Sequence, residues 1–177
     1  MERVLLDEVV FTDYGQFDLG WGDGFGFDGD ADRYFAGQVN GLVGAARANG
    51  VYLHFGRRSG GSPVRIVLID EAPGESGSSW EDVVEVSIDV PSGTQVRWVS
   101  WHGDGGVLDG VGAGEYRLRV SARGRDAGHD GEFADGPVDA YLLQLWPAPA
   151  RPDAILRVGS SDAEYWHREW GSRRPVS

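Results

Sequence analysis

Two runs between Gly114 and Pro152 restrict what this chain can fold into. Tyr116, Leu118 and Val120 alternate with Arg117, Arg119 and Ser121, a period of two that puts one row on a core and the other in water. Tyr141–Trp146 is apolar at almost every position except Gln144. That is the pattern of a strand covered on both faces, and Pro147 then removes the next amide donor. The two runs read as partner strands. The polar, glycine-containing connection between them, Arg123–Asp139, carries several carboxylates and His129. It is too long for a tight hairpin, and a connection of that length is functional or partly mobile.

The same alternation recurs along the chain. Val84, Val86, Ile88 and Val90 alternate with Glu85, Ser87 and Asp89, and Val96 and Trp98 with Arg97 and Val99. Asn49-Gly50 turns the chain into Val51–Phe55, and the Gly/Ser-rich Gly56–Pro63 leads into Val64–Ile69, which predicts a hairpin. Val4–Phe11 and Gln16–Leu19 read as two short strands or one bent about Tyr14-Gly15, Gln38–Ala46 as a strand, and Ala154–Val158 as an edge strand after a stiff Pro147–Pro152 spacer. Ser161 and Glu164 have capping-box spacing, and Ala163, Tyr165, Trp166 and Trp170 fit a short helix with an aromatic side, ended by Gly171. The expected fold is all-β: a mainly antiparallel β-sandwich of about seven to nine strands with a short C-terminal helix. One domain over residues 1–170, with a fraying tail over 171–177, suits a chain of 177 residues.

Charge narrows the partners. The sequence holds 28 acids against 16 bases, a net charge of −12, and every base is arginine. Met1–Val96 carries 16 acids and 6 arginines, the remainder 12 and 10, so the excess lies in the first half. Such a surface repels nucleic acid and anionic membranes and attracts a basic protein. Met1–Phe11 has acids where a signal peptide needs a basic start, and no apolar run reaches the roughly 18 residues of a membrane span. A cytoplasmic protein is the expectation.

Several chemistries fail on residue type or spacing. With no cysteine, disulfides and thiolate-held zinc are excluded. With no lysine, so are Walker-type phosphate binding and Schiff bases. Gly24, Gly26 and Gly29 spell a dinucleotide fingerprint, but no helix follows and Asp23, Asp28, Asp30 and Asp32 would repel phosphates. Asp28, Asp30 and Asp32 match the first, third and fifth positions of a calcium loop. Arg33 then stands where glycine must turn and Val39 where a bidentate Glu is needed. No G-x-S-x-G elbow and no paired histidine spacing accompanies His54, His102, His129 and His167. No cofactor is expected, and no catalytic set. Gly20–Asp32, which alternates glycine, aromatic and aspartate, reads as an exposed, mobile loop and the best contact surface, with Trp21 as its anchor.

Asn40–Ala46, Trp80–Ser87, Tyr116–Gly128, Tyr141–Asp153 (YLLQLWPAPARPD) and Ala163–His167 together resemble an uncharacterised family common in high-GC actinobacteria, which implies no activity. More distantly, a G-x-Y-x-L strand (Gly114, Tyr116, Leu118), an acidic loop and a final strand opening Tyr141-Leu142-Leu143 are similar to the bacterial competence nuclease inhibitor family. That resemblance implies a small acidic β protein that binds a DNA-degrading enzyme.

The expectation that follows is a non-enzymatic binding protein of inhibitor or immunity type, engaging a basic protein such as a nuclease or toxin without contacting nucleic acid or membrane itself. Its contact residues would be Trp21, Asp23, Asp28, Asp30 and Asp32, with Asp70, Glu71 and Glu75 as a second patch. The alternative is a ligand-binding module for carbohydrate or calcium, using exposed Trp and the Asp-rich loop. Oligomeric state stays open.

Overall fold

The computed structural model describes residues 1–101 and 103–172. Its strands are β1 (Glu2–Thr12), β2 (Gln16–Gly20), β3 (Val43–Gly44), β4 (Gly50–His54), β5 (Gly60–Ile69), β6 (Asp82–Val90), β7 (Arg97–Ser100), β8 (Gly105–Val107), β9 (Gly114–Arg123), β10 (Ala140–Pro147) and β11 (Ala154–Arg157). Among the described residues three short helices accompany them: α1 (Ala31–Tyr34), α2 (Arg125–Asp130) and α3 (Ser161–Glu169). The strands form a six-stranded sheet in the order β1-β5-β10-β9-β6-β11 and a five-stranded sheet in the order β3-β4-β2-β7-β8. All pairings are antiparallel except β5 with β10. The expected all-β fold with a C-terminal helix is therefore the one found, with eleven strands among the described residues where about seven to nine were expected.

The alternation read from the sequence sets the sandwich. Phe17, Leu19, Val51 and Leu53 from the smaller sheet meet Ile66, Val86, Leu118, Leu143 and Leu145 from the larger in one shared core. β9 and β10 pair in antiparallel register, Leu118 opposite Leu145 and Val120 opposite Leu143. β10 is central, flanked by β5 on its other side.

Three local expectations are corrected. Val51–Phe55 and Val64–Ile69 do not form a hairpin: β4 belongs to one sheet and β5 to the other. The turn between them crosses the sandwich and is fixed by the buried guanidinium of Arg57, which donates to the carbonyls of Ser59, Gly61, Glu132, Ala134 and Gly136. Gln38–Ala46 contributes only Val43–Gly44 as strand, because Gln38 and Asn40 side chains take up the backbone groups of Val43, Ala45 and Leu42 instead. The third correction concerns the charged row of β9, expected in water. Arg117 is 2% exposed and Arg119 is buried, and their Nε atoms donate to Glu85 of β6 at 3.1 and 2.8 Å. The cover is the segment around Gly74 and Ser76, to which Arg119 donates, and the carbonyl of Arg151, which accepts from Arg117.

Two strand ends and one helix start position the candidate site. Tyr14 and Gly15 both take left-handed φ, 56° and 66°, and a Cβ on Gly15 would stand 2.8 Å from the Phe55 carbonyl. The chain thereby leaves β1 in one sheet and enters β2 in the other. The cap of α3 is Ser160, not Ser161: its Oγ accepts from Ala163 N at 3.0 Å and donates to buried Asp82 at 2.6 Å. α3 then lies so close to Gly41 that a Cβ there would overlap the Trp166 carbonyl.

Candidate binding site

A cavity of about 1330 Å³ opens at the end of the sandwich where the β1–β2 turn, the loop before α1, α2 and α3 meet. Its floor is the outer face of β2 and β4. Strand alternation that sends Phe17 and Leu19 inward turns Gln16 and Asp18 outward, and in β4 it turns out Tyr52 and His54. Over this face the chain folds back from Gly20. Phe27 stacks on Tyr52 with ring centroids 3.8 Å apart, and Trp166 of α3 and Trp170, which caps its end, set their rings against His54 at 4.9 Å each. At the mouth, Tyr14, 65% exposed, meets Trp101, 55% exposed, edge to face at 5.5 Å.

Asp18 fastens the loop to the floor. It is 1% exposed, accepts from Phe27 N at 3.1 Å and from Gln16 Nε2 at 2.7 Å, and has no cationic partner among the described residues. Burial outweighs those two hydrogen bonds and raises its pKa to about 6.

Two of the histidines, His54 and His167, are committed to structure. Gly41 O can only accept, so His54 Nε2 carries the proton and donates to it at 2.6 Å, while Nδ1 accepts from Arg125 at 3.3 Å. Burial, with Arg125 adding to it, pushes His54 well below its ordinary pKa and keeps the ring neutral. His167 Nδ1 accepts from Gly41 N at 2.9 Å, and burial lowers its pKa to about 4. His129 is exposed, 3.9 Å from Asp162. Ser161 in the wall has no hydrogen bond to any of these rings. His102 lies outside the described residues. Among the described residues no group of three or more histidine and acidic side chains is placed to hold a metal ion.

Four aspartates stand in the wall: Asp28, Asp126, Asp130 and Asp162. Asp162 is paired with Arg125 at 2.8 Å, and Asp126 accepts the amides of Ser161 and Asp162 at 3.1 and 2.8 Å, closing the start of α3. Asp28 is joined to Arg33, which also holds Asp30 at 2.9 Å. Asp130 is exposed and makes no ion pair within 4.0 Å among the described residues.

The residues singled out from the sequence do not gather as expected. Trp21 is 3% exposed and donates from Nε1 to Ala48 O at 2.9 Å, so it is no surface anchor. It continues the inward row Phe17, Leu19, Trp21, a period that its glycine-rich neighbours masked. The Gly20–Asp32 loop is not loose either: Asp18 and Arg33 tie it down, Asn49 donates to Gly24 O, and Asp30 caps α1. Asp28 reaches the cavity, while Asp23 is exposed on the stretch that runs back along β2. Asp70, Glu71 and Glu75 follow β5 at the end remote from Gly60. Ten strand residues, roughly 33 Å, separate that patch from the cavity end. There Asp70 pairs with the N-terminal amine at 2.8 Å and Glu75 with Arg157 at 3.6 Å.

No family model matches the chain, and no curated protein matches it in sequence. Two solved structures are similar to it, each with a TM-score of 0.57 over 84% of this chain and 99% of the other. One is the crystal structure of ComJ, inhibitor of the DNA degrading activity of NucA, from Bacillus subtilis, at 16% identity. The other is described as crocagin biosynthetic gene J, at 18% identity. The resemblance to the competence nuclease inhibitors thus holds at the level of fold, and the one to an uncharacterised actinobacterial family, read from five segments between Asn40 and His167, gains no support. No helix among the described residues is long and apolar enough to cross a membrane. At these identities the chain shares an architecture with a nuclease inhibitor.

Proposed function

We propose that this chain is a non-enzymatic binding protein of inhibitor or immunity type that engages a basic protein, a nuclease or toxin, through the end of the sandwich bearing the cavity. The observation that carries the reading is the joint presence there of exposed carboxylates, Asp28, Asp126 and Asp130, and half-exposed aromatic rings, Tyr14, Trp101 and Tyr165. Acids steer a cationic partner and aromatic rings supply contact area at low entropic cost. Asp23, on the loop before α1, and Asp32, within α1, add exposed carboxylates beside it, and Asp70, Glu71 and Glu75 form a separate patch at the other end. The fold shared with an inhibitor of a DNA-degrading enzyme supports the same reading, as does the committed state of His54. A nuclease cleft is basic, and an acidic partner can occupy it where phosphates would lie.

The test is capture from host lysate on immobilised chain, eluted by raising salt, followed by plasmid cleavage with and without added free chain. A salt-eluted basic protein whose nuclease or toxic activity falls on adding the chain is the expected result. An eluate with no basic protein, or an activity untouched by stoichiometric chain, contradicts it.

A second reading, a module that stacks sugar rings, is favoured by the same aromatic wall. A rise in melting temperature with a glycan panel would mark it. Calcium is not favoured, because Asp28 and Asp30 are already paired with Arg33.

A further inference from the structure

An acidic rim steers a partner without any cavity behind it. Here, however, the rim opens into about 1330 Å³, more than the ~300–1,000 Å³ of a site for a drug-sized molecule, which leaves room for several residues of extended chain. Among the described residues the wall combines aromatic faces, Phe27, Tyr52, Trp101, Tyr165 and Trp166 among them, with four aspartates against one arginine, Arg58. Aromatic faces attract a cation through the ring quadrupole, and a flat, weakly hydrated guanidinium stacks on them while its charge is met by carboxylate. The chain already sets guanidinium groups of its own over two of the wall's rings, Arg58 over Tyr14 at 5.8 Å and Arg168 over Tyr165 at 5.4 Å. Among the described residues, Asp130 alone of the four wall aspartates neither pairs with an arginine nor closes the start of α3.

We infer that the cavity receives an arginine side chain carried on an extended segment of the basic partner, its guanidinium stacked on the aromatic wall and its charge met by Asp130. This rests on the partner reading above. Calorimetric titration with end-blocked Gly-Arg-Arg-Gly, Gly-Gln-Gln-Gly and Gly-Glu-Glu-Gly tests it. The arginine peptide should bind saturably, lose at least about tenfold in affinity in the Trp101→Ala/Tyr165→Ala variant, and weaken between about 50 and 300 mM salt. Both replaced rings are half exposed, so an unchanged melting temperature verifies that the variant is folded. Equal binding of the glutamine peptide, undiminished binding by the variant, or no arginine-peptide binding at all overturns the inference. Salt-sensitive capture of a basic protein that persists in the double variant would sink this inference and spare the partner reading. Absence of such capture by the unaltered chain would sink the partner reading itself.

Discussion

Asp18 is a carboxyl group placed where its charge is unwelcome, and the position predicts an unusual pH response. Its pKa rises from 3.8 unfolded to about 6 folded, so below pH 4 the group costs nothing. Between pH 4 and 6 the unfolded chain sheds this proton before the folded chain does, and stability falls by about 3 kcal/mol from this site. His167 works the other way. With its pKa lowered to about 4, it contributes stability present above its ordinary 6.5 and lost as pH falls toward 4. The two trends oppose each other in one window. Asp18→Asn keeps an oxygen for Phe27 N and removes the carboxyl titration. Urea unfolding from pH 4 to 7.5 should show the variant more stable than the parent at pH 7.5 and rising steeply with pH where the parent is flatter. Superimposable profiles would contradict the account. Glu85 is the opposite case, a buried charge that its surroundings need. Glu85→Gln leaves Arg117 and Arg119 without their carboxylate and should cost about 3–5 kcal/mol by the same method.

At the scale of elements, α3 is the wall of the cavity and its cap decides how firmly that wall stands. Ser160→Ala removes the acceptor for Ala163 N and the donor to Asp82, and should cost about 1–2 kcal/mol, with loss of near-ultraviolet dichroism from Trp166 and Trp170. Ser161→Ala, the cap suggested by capping-box spacing, should change stability by less than about 0.5 kcal/mol; equal effects would contradict the assigned cap. That one-residue displacement shows what was and was not legible in the sequence. Most of the strands, their inward rows and α3 announced themselves through local period and turn residues, whereas β8 and the inward Trp21 were hidden in glycine-rich stretches. The other failures depended on partners distant in sequence. Asp82 chooses Ser160 over Ser161, and Arg57 gathers carbonyls from residues 59 to 136 and so carries the chain between sheets where a hairpin was expected. The row containing Arg117 and Arg119 has the alternation of a solvent face, yet a loop 43 to 45 residues earlier in the chain covers it. The cavity had no motif because its wall is assembled from Tyr14, Phe27, Tyr52, Trp101 and Tyr165, each unremarkable in its own segment.

On the scale of the whole molecule, the excess of acids in the first half of the chain does not become one negative face. Seven of its sixteen acids divide between the stretch Asp23–Asp32 beside the cavity and the patch beyond β5, and the rest are scattered, with Asp18, Asp82 and Glu85 buried. The aspartates held by Arg33 serve the loop's own structure, so Asp23 and Asp130 are the cleaner probes of long-range charge. The central claim is that the cavity end meets a basic partner by electrostatic steering. The most direct measurement is the association rate of the salt-eluted partner with the chain and with Asp23→Asn/Asp130→Asn, at about 50 and about 300 mM salt. The account predicts a several-fold slower on-rate for the variant at low salt, converging with the parent at high salt. Equal on-rates with the same salt dependence would contradict it.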